Sequence, residues 1–80
     1  MANWTQYTYV NGELKYEPKK RTADDMLGLF AQMHFLKQSG EDIEVTIGAV
    51  DEMFKVTQYK VTRKLNDRVV EQIFNKVCEL

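Results

Sequence analysis

Residues 7–16 read YTYVNGELKY, and this stretch predicts a β-hairpin together with its register. Asn11 and Gly12 separate two alternating runs, and an Asn-Gly pair favours a two-residue type I′ turn because both central residues there need positive φ. Counting outward from this turn predicts a hairpin over residues 4–17. One face of the hairpin then carries four large side chains: Tyr7, Tyr9, Leu14 and Tyr16. Trp4 lies on the opposite face.

A helix follows the first hairpin. Pro18 ends the strand, because proline lacks the N–H that a sheet ladder needs, and the basic residues at 19–21 predict a solvated connector. Thr22 is a suitable N-cap and Gly40 suits the position beyond the C-cap, so the sequence predicts a helix over residues 23–39. One stripe of this helix is apolar: Met26, Leu29, Phe30, Met33 and Leu36. We expect this stripe to cover the hairpin face that carries the tyrosines.

Residues 42–63 predict a second hairpin whose register needs one irregularity. A two-residue turn at 51–52 pairs the nearest apolar residues but sets Val45 opposite Gln58. A β-bulge near Thr57 or Gln58 restores apolar partners, because one extra residue moves every later side chain to the other face. The resulting cross-strand partners are Val45 and Tyr59, Ile43 and Val61, Glu44 and Lys60, and Glu41 and Arg63.

A second helix is predicted over residues 67–79, with Asn66 as its N-cap. Its buried stripe holds Val69, Val70, Ile73, Phe74 and Val77. The whole chain, residues 1–80, is therefore predicted to be one small α+β domain of the type ββαββα, with a four-stranded, mainly antiparallel sheet and both helices packed on one face. Alternatively, each hairpin pairs with its mate in a second chain, which would give a dimer held by sheet extension.

Length and charge narrow the class of protein. The chain has 80 residues, of which 44% are hydrophobic and 29% charged, with a formal net charge of −1. A domain of this size buries only roughly 60–65% of its unfolded surface, so self-association as a homodimer is expected. The net charge provides no overall attraction to nucleic acid or to an acidic membrane.

The sequence favours a cytoplasmic location. Cys78 is the single cysteine, so no disulfide can form within the chain. The first ten residues lack the basic start and the apolar segment of a signal peptide. No apolar run approaches the roughly 18 residues that span a bilayer, so we expect no membrane partner.

Chemistry-bearing residues are few. His34 is the only histidine, so with one cysteine no Cys/His metal set and no Ser/His/Asp arrangement can be assembled. Three acidic pairs occupy a helix start, a strand start and a turn, where structural roles account for them: Asp24 with Asp25, Glu41 with Asp42, and Asp51 with Glu52. The four glycines form no phosphate-binding loop. The sequence therefore predicts no enzyme, no cofactor and no metal.

Basic segments at 19–21 and 60–68 provide the alternative function, a nucleic-acid-binding domain. Seven cations could follow a phosphate backbone: Lys19, Lys20, Arg21, Lys60, Arg63, Lys64 and Arg68. The predicted register counts against this interpretation, because it sets Lys60 beside Glu44 and Arg63 beside Glu41.

A second apolar surface on the first helix favours protein binding. Leu27, Ala31 and Phe35 lie beside Gly28, away from the buried stripe, and an aromatic side chain among small residues is typical of a docking site. Phe35 could instead fold onto the loop before Ile43. Trp4, opposite the tyrosines, would be exposed if both helices cover the other face. The sequence thus predicts a small protein-interaction module, of an accessory, adaptor or inhibitor type.

Overall fold

The computed structural model describes residues 3–77 and shows a mainly β protein. One helix and six strands follow one another along the chain: β1 (Asn3–Val10), β2 (Glu13–Leu14), β3 (Lys19–Thr22), α1 (Ala23–Gln38), β4 (Ile43–Val50), β5 (Val56–Leu65) and β6 (Arg68–Val77). All strand pairs are antiparallel, in the order β2-β1-β6-β5-β4, and β3 also pairs with β1. The predicted fold of four strands and two helices is therefore wrong.

The turn of the first hairpin is confirmed, but its second strand is shorter than predicted. Asn11 and Gly12 have φ values of 49° and 84°, and Tyr9 pairs with Leu14 as the register requires. The ladder stops after β2, and the chain returns to β1 as β3. The residues at 19–21, predicted as a solvated connector, thus form a strand, because β1 extends far beyond β2 and offers its remaining backbone groups.

Helix α1 begins and ends close to the predicted positions. Thr22 is the N-cap: its backbone N–H donates to the Asp25 carboxylate at 3.0 Å, and the Asp25 N–H donates to the Thr22 hydroxyl at 3.1 Å. This reciprocal pair satisfies two of the donors that a helix start leaves without partners. At the other end Ser39 is the C-cap, and Gly40 has a φ of 97°.

The predicted second helix is a strand. Residues 68–77 form β6, which lies between β1 and β5 at the centre of the sheet. Asn66, read as an N-cap, has a φ of 54° and belongs to a two-residue turn that brings Leu65 opposite Arg68. Two neighbouring strands supply a complete ladder to this Val- and Ile-rich segment, and that pairing outweighs its helical periodicity. The end of the predicted helix, residues 78–80 with Cys78, lies outside the described residues.

The second hairpin has a longer loop and a different register. Residues 51–55 form the loop, and Val45 pairs with Val61 rather than with Tyr59. Because the register differs by two residues, the predicted faces are kept. An irregularity does occur opposite Gln58, between Ile47 and Val50. The other observed partners are Ile43 and Arg63, Glu44 and Thr62, and Thr46 and Lys60.

Only one face of the sheet is covered by α1. Four adjacent strands each contribute one buried apolar side chain to this face: Trp4, Phe74, Val61 and Ile43. Successive members lie two residues further along the ladder, so they form a diagonal, which Met26 and Met33 of α1 cover. The Trp4 and Tyr59 rings lie 5.5 Å apart. Tyr7 and Tyr9 point to the open face, contrary to the prediction, because Trp4 takes the covered side.

Candidate functional site

Strand β4 forms one free edge of the sheet. Among the strands of residues 3–77 it pairs with β5 alone, and β5 separates it from the rest of the sheet. Seven of its eight residues are exposed, and only Ile43 is buried. A free edge presents backbone N–H and C=O groups with no partner, so β4 is a place where another strand can be added.

The backbone groups that face the free edge can be assigned to particular residues. Lys64 N–H donates to the Asp42 carbonyl at 3.2 Å, across the same register that pairs β4 with β5. Bonding to one neighbour alternates along an antiparallel strand, so Glu44 and Thr46 also bond to β5. The N–H and C=O groups of Val45 and Ile47 therefore point outward.

Apolar side chains are concentrated on this hairpin. Val45 and Ile47 are 42% and 61% exposed, although both point to the face of the sheet that α1 partly covers. Exposure increases toward the loop, where Met53 is 74% and Phe54 86% exposed. The segment 45–54 thus holds five of the twelve exposed large hydrophobic residues between positions 3 and 77. Exposed apolar side chains do not stabilise the fold in water, and a concentration of them is typical of interaction sites.

A groove runs between α1 and β4. Its volume is about 250 Å³, and its walls are formed by Phe30, Met33, His34, Lys37, Ile43 and Val45. Val45 belongs both to the groove and to the free edge. A strand added beside β4 would therefore hold its own side chains next to the mouth of the groove.

The edge strand is flanked by negative charge at both ends. Residues 41–52 read EDIEVTIGAVDE, with five carboxylates and no lysine or arginine: Glu41, Asp42, Glu44, Asp51 and Glu52. Glu41 pairs with Arg63 at 3.2 Å, although the residue directly opposite Arg63 is Ile43 and not Glu41 as predicted. Backbone N–H groups of Lys55 and Met53 donate to Asp51 and hold the pKa of its carboxyl below the ordinary value, so this carboxylate stays charged at neutral pH.

The predicted helix surface is present but separate from this edge. Leu27 and Phe35 are 72% and 66% exposed, and Gly28 and Ala31 beside them are also exposed. Phe35 does not fold onto the loop before Ile43. Trp4, which the sequence grouped with this surface, is only 8% exposed and packs in the core.

The seven basic residues of the alternative interpretation are divided between the two faces of the sheet. Lys20, Lys60 and Lys64 point to the open face, whereas Lys19, Arg21, Arg63 and Arg68 point to the face that α1 partly covers. Arg21 donates to the buried Gln6 side chain at 2.8 Å, so one cation is committed within the fold. Lys60 lies opposite Thr46 and not opposite Glu44.

The acidic pairs lie apart from one another in structural positions. Asp25 belongs to the capping box of α1, and the Thr22 backbone N–H lowers the pKa of its carboxyl.

A second depression of about 180 Å³ lies between residues 41–42 and 63–66. Among residues 3–77, no three His, Cys, Asp or Glu side chains are grouped so that they could hold a metal ion. Over the same range, no helix has the length and apolar character needed to cross a bilayer.

Sequence reasoning identified the exposed helix surface but missed the β4 edge, because strand order depends on β6. Residues 41–52 lack lysine, the residue that commonly protects edges, so the local pattern gave no signal that this strand lies at an edge. Comparison of the chain with models of protein families, with curated proteins and with solved structures gave no match.

Proposed function

We propose that this protein is an interaction module that binds an extended segment of a partner protein along β4. In this mode of recognition the partner adds a strand to the sheet, main-chain hydrogen bonds supply affinity, and alternate side chains supply specificity. Val45 and Ile47 offer the main-chain groups, and the groove beside Val45 offers a place for a side chain.

The observation that supports this proposal most directly is the exposure of β4, whose pairing with β5 is regular from Ile43 to Ile47 and whose side chains there include the exposed Val45 and Ile47. Natural sheets normally protect such edges with lysine, proline, bulges or a covering element, because an open edge promotes aggregation. Two register shifts interrupt the pairing of β4 with β5 at the far end of the strand, between Ile47 and Ala49 and between Ala49 and Val50. An edge left open in this way is consistent with a surface that is covered when the protein works.

The total surface of the chain supports the same proposal. The protein exposes 6178 Å², whereas a compact monomer of its mass exposes about 5,000 Å². The difference reflects a sheet that one helix covers on one side only. It is also of the order of the surface, about 800 Å², that one partner buries in a standard protein–protein interface.

Site-specific photo-crosslinking in cells that naturally encode the chain tests the proposal. A photoreactive phenylalanine derivative is placed at Ile47, and in separate controls at Leu27 on α1 and at Lys20 on the opposite sheet edge. We expect a discrete adduct with one identified protein from position 47 and none from position 20. Adducts from position 27 alone would place the interface on the helix and contradict the proposal.

A further inference from the structure

We propose that the segment received by β4 belongs to a different protein and carries lysine or arginine on both sides of a short β-branched centre. This inference rests on the proposed docking at β4. It follows from the charge of the edge, from its apolar centre, and from the cost of pairing two copies of this strand.

The negative charge of the β4 edge is complementary to cations at both ends of the incoming segment. Asp42 and Glu44 precede the apolar centre, and Glu52 follows it, with all three side chains exposed. Because both ends are acidic, the requirement holds whichever direction the segment runs. The cations Lys60 and Lys64 belong to β5, so they lie about 10 Å from an added strand, whereas β4 itself lies about 5 Å away.

The centre of the edge favours apolar, β-branched side chains on the added strand. Val45 and Ile47 point to the same face as the groove, and residues directly opposite them on an added strand would share that face. Their partners would therefore lie next to the wall that Phe30 and Met33 form. Side chains that pack well on a pleated surface, such as valine and isoleucine, suit these positions.

A second copy of this chain suits the edge less well. Antiparallel pairing centred on Thr46 would place Val45 opposite Ile47, which is favourable, but Glu41 would then meet Asp51 of the second copy. Parallel pairing in register would place every carboxylate beside its own equivalent. Like charges directly opposite each other destabilise strand pairing, so the acidic ends favour a basic segment over self-pairing.

Three capped peptides test the inference with the full chain: KKTVTVTKK, its acidic counterpart EETVTVTEE, and the proline control KKTPTPTKK. Binding is measured by titration, following the backbone amide NMR signals of Val45 and Ile47. At low salt we expect the basic peptide to bind at least about tenfold more tightly than the acidic one. The difference should shrink in 1 M NaCl, where the screening length falls to about 3 Å. The proline control should not bind, because it has no N–H at the two positions that would face Val45 and Ile47.

Charge reversal of the edge adds a matched control. The double variant Asp42→Lys with Glu52→Lys should reverse the order of the two peptides. Glu13→Lys with Glu17→Lys changes the net charge equally but lies on the first hairpin, at the other side of the sheet, and should keep the original order.

The outcomes separate the inference from the proposed function. Equal binding of the basic and acidic peptides would overturn the inference and leave strand docking intact. A concentration-dependent dimer that Ile47→Lys abolishes would also overturn it, because a second copy would then occupy the edge. If no peptide perturbs Val45 or Ile47 and the chain remains monomeric, docking along β4 itself is wrong.

Discussion

The two edges of the sheet differ in strand length and in the residues that protect them from pairing with another strand. On one side β4 runs for eight residues with apolar side chains at its centre. On the other side the edge is divided into β2, of two residues, and β3, of four, with Pro18 between them and Lys19 and Lys20 at the start of β3. Short strands, proline and lysine are the features that natural proteins use to protect an edge.

The backbone shows the same difference. Lys15 N–H donates to the Thr8 carbonyl, so the even-numbered residues of β1 bond to the edge strands. Lys19 and Arg21 therefore turn their backbone groups toward β1, and the Thr22 N–H donates to Asp25. Lys20 is left as the residue of β3 that faces outward. One edge thus offers almost nothing to an incoming strand, whereas the other offers two full residues.

Proline substitutions should give the largest effects and test whether β4 is oriented as described. Thr46→Pro removes an N–H that bonds to β5, leaves its acceptor without a partner, and should lower the free energy of unfolding by about 1–3 kcal/mol. Ile47→Pro removes an N–H that points outward and should lower it by less than about 1 kcal/mol. Urea denaturation measures both values. Equal losses would show that the assignment of outward groups is wrong.

Glycine-to-alanine substitutions should give smaller effects of opposite sign. A methyl group at Gly48, on β4, would collide with the Gln58 side-chain oxygen. It would displace the amide that bonds to Asn75, so we expect a loss of about 1 kcal/mol.

Gly28→Ala provides the matched control, because a methyl group there meets no atom within 4 Å. Gly28 is inside α1, where alanine is favoured over glycine, so this variant should be more stable by about 0.5–1 kcal/mol. Thermal and urea denaturation compare the two variants. A neutral or stabilising Gly48→Ala would contradict the packing described for Gln58.

Acid titration compares one carboxylate near each edge of the sheet and should show the smallest effects on stability. The pKa values of Asp25, beside β3, and Asp51, in the β4–β5 loop, are both lowered in the folded protein. Each carboxylate therefore adds stability above the unfolded pKa of about 3.9, and this stability is lost as the pH falls through the folded pKa.

Asp25→Asn and Asp51→Asn should each flatten the decrease in stability below about pH 4. Stability against urea, measured at several pH values for the parent protein and for both variants, shows the change. A steeper acid dependence in either Asn variant would be inconsistent with the hydrogen bonds described.

Local signals predicted part of the fold. The Asn11-Gly12 turn and the helix after Thr22 were predicted because turn and capping residues act over a few positions. The last strand was not, because Asn66 suits both a helix start and a tight turn, and the apolar residues of 69–77 recur at the helical period. Pairing with β1, which lies more than sixty positions away, favours the strand over the helix here, and it sets Tyr7 opposite Ile73.

The same error explains what was missed at the site. Placing a second helix on the sheet left Trp4 on an exposed face and hid the identity of the edge strands. Helical periodicity alone placed Leu27 and Phe35 on the outer face of α1, and both are exposed; for Phe35 this decides between the two possibilities that the sequence left open. The role of β4 as an edge depends on β6 entering the centre of the sheet, and no local pattern specifies that.

The central position of β6 has a consequence for the order of events during synthesis. On the side that faces β6, β1 has no partner until residues 68–77 have left the ribosome. Until then, the main-chain groups of β1 that face β6 stay solvated. The diagonal of buried side chains is also incomplete without Phe74. Folding of this sheet is therefore expected to follow translation of β6, and to be slow, because its central pairing joins distant parts of the chain.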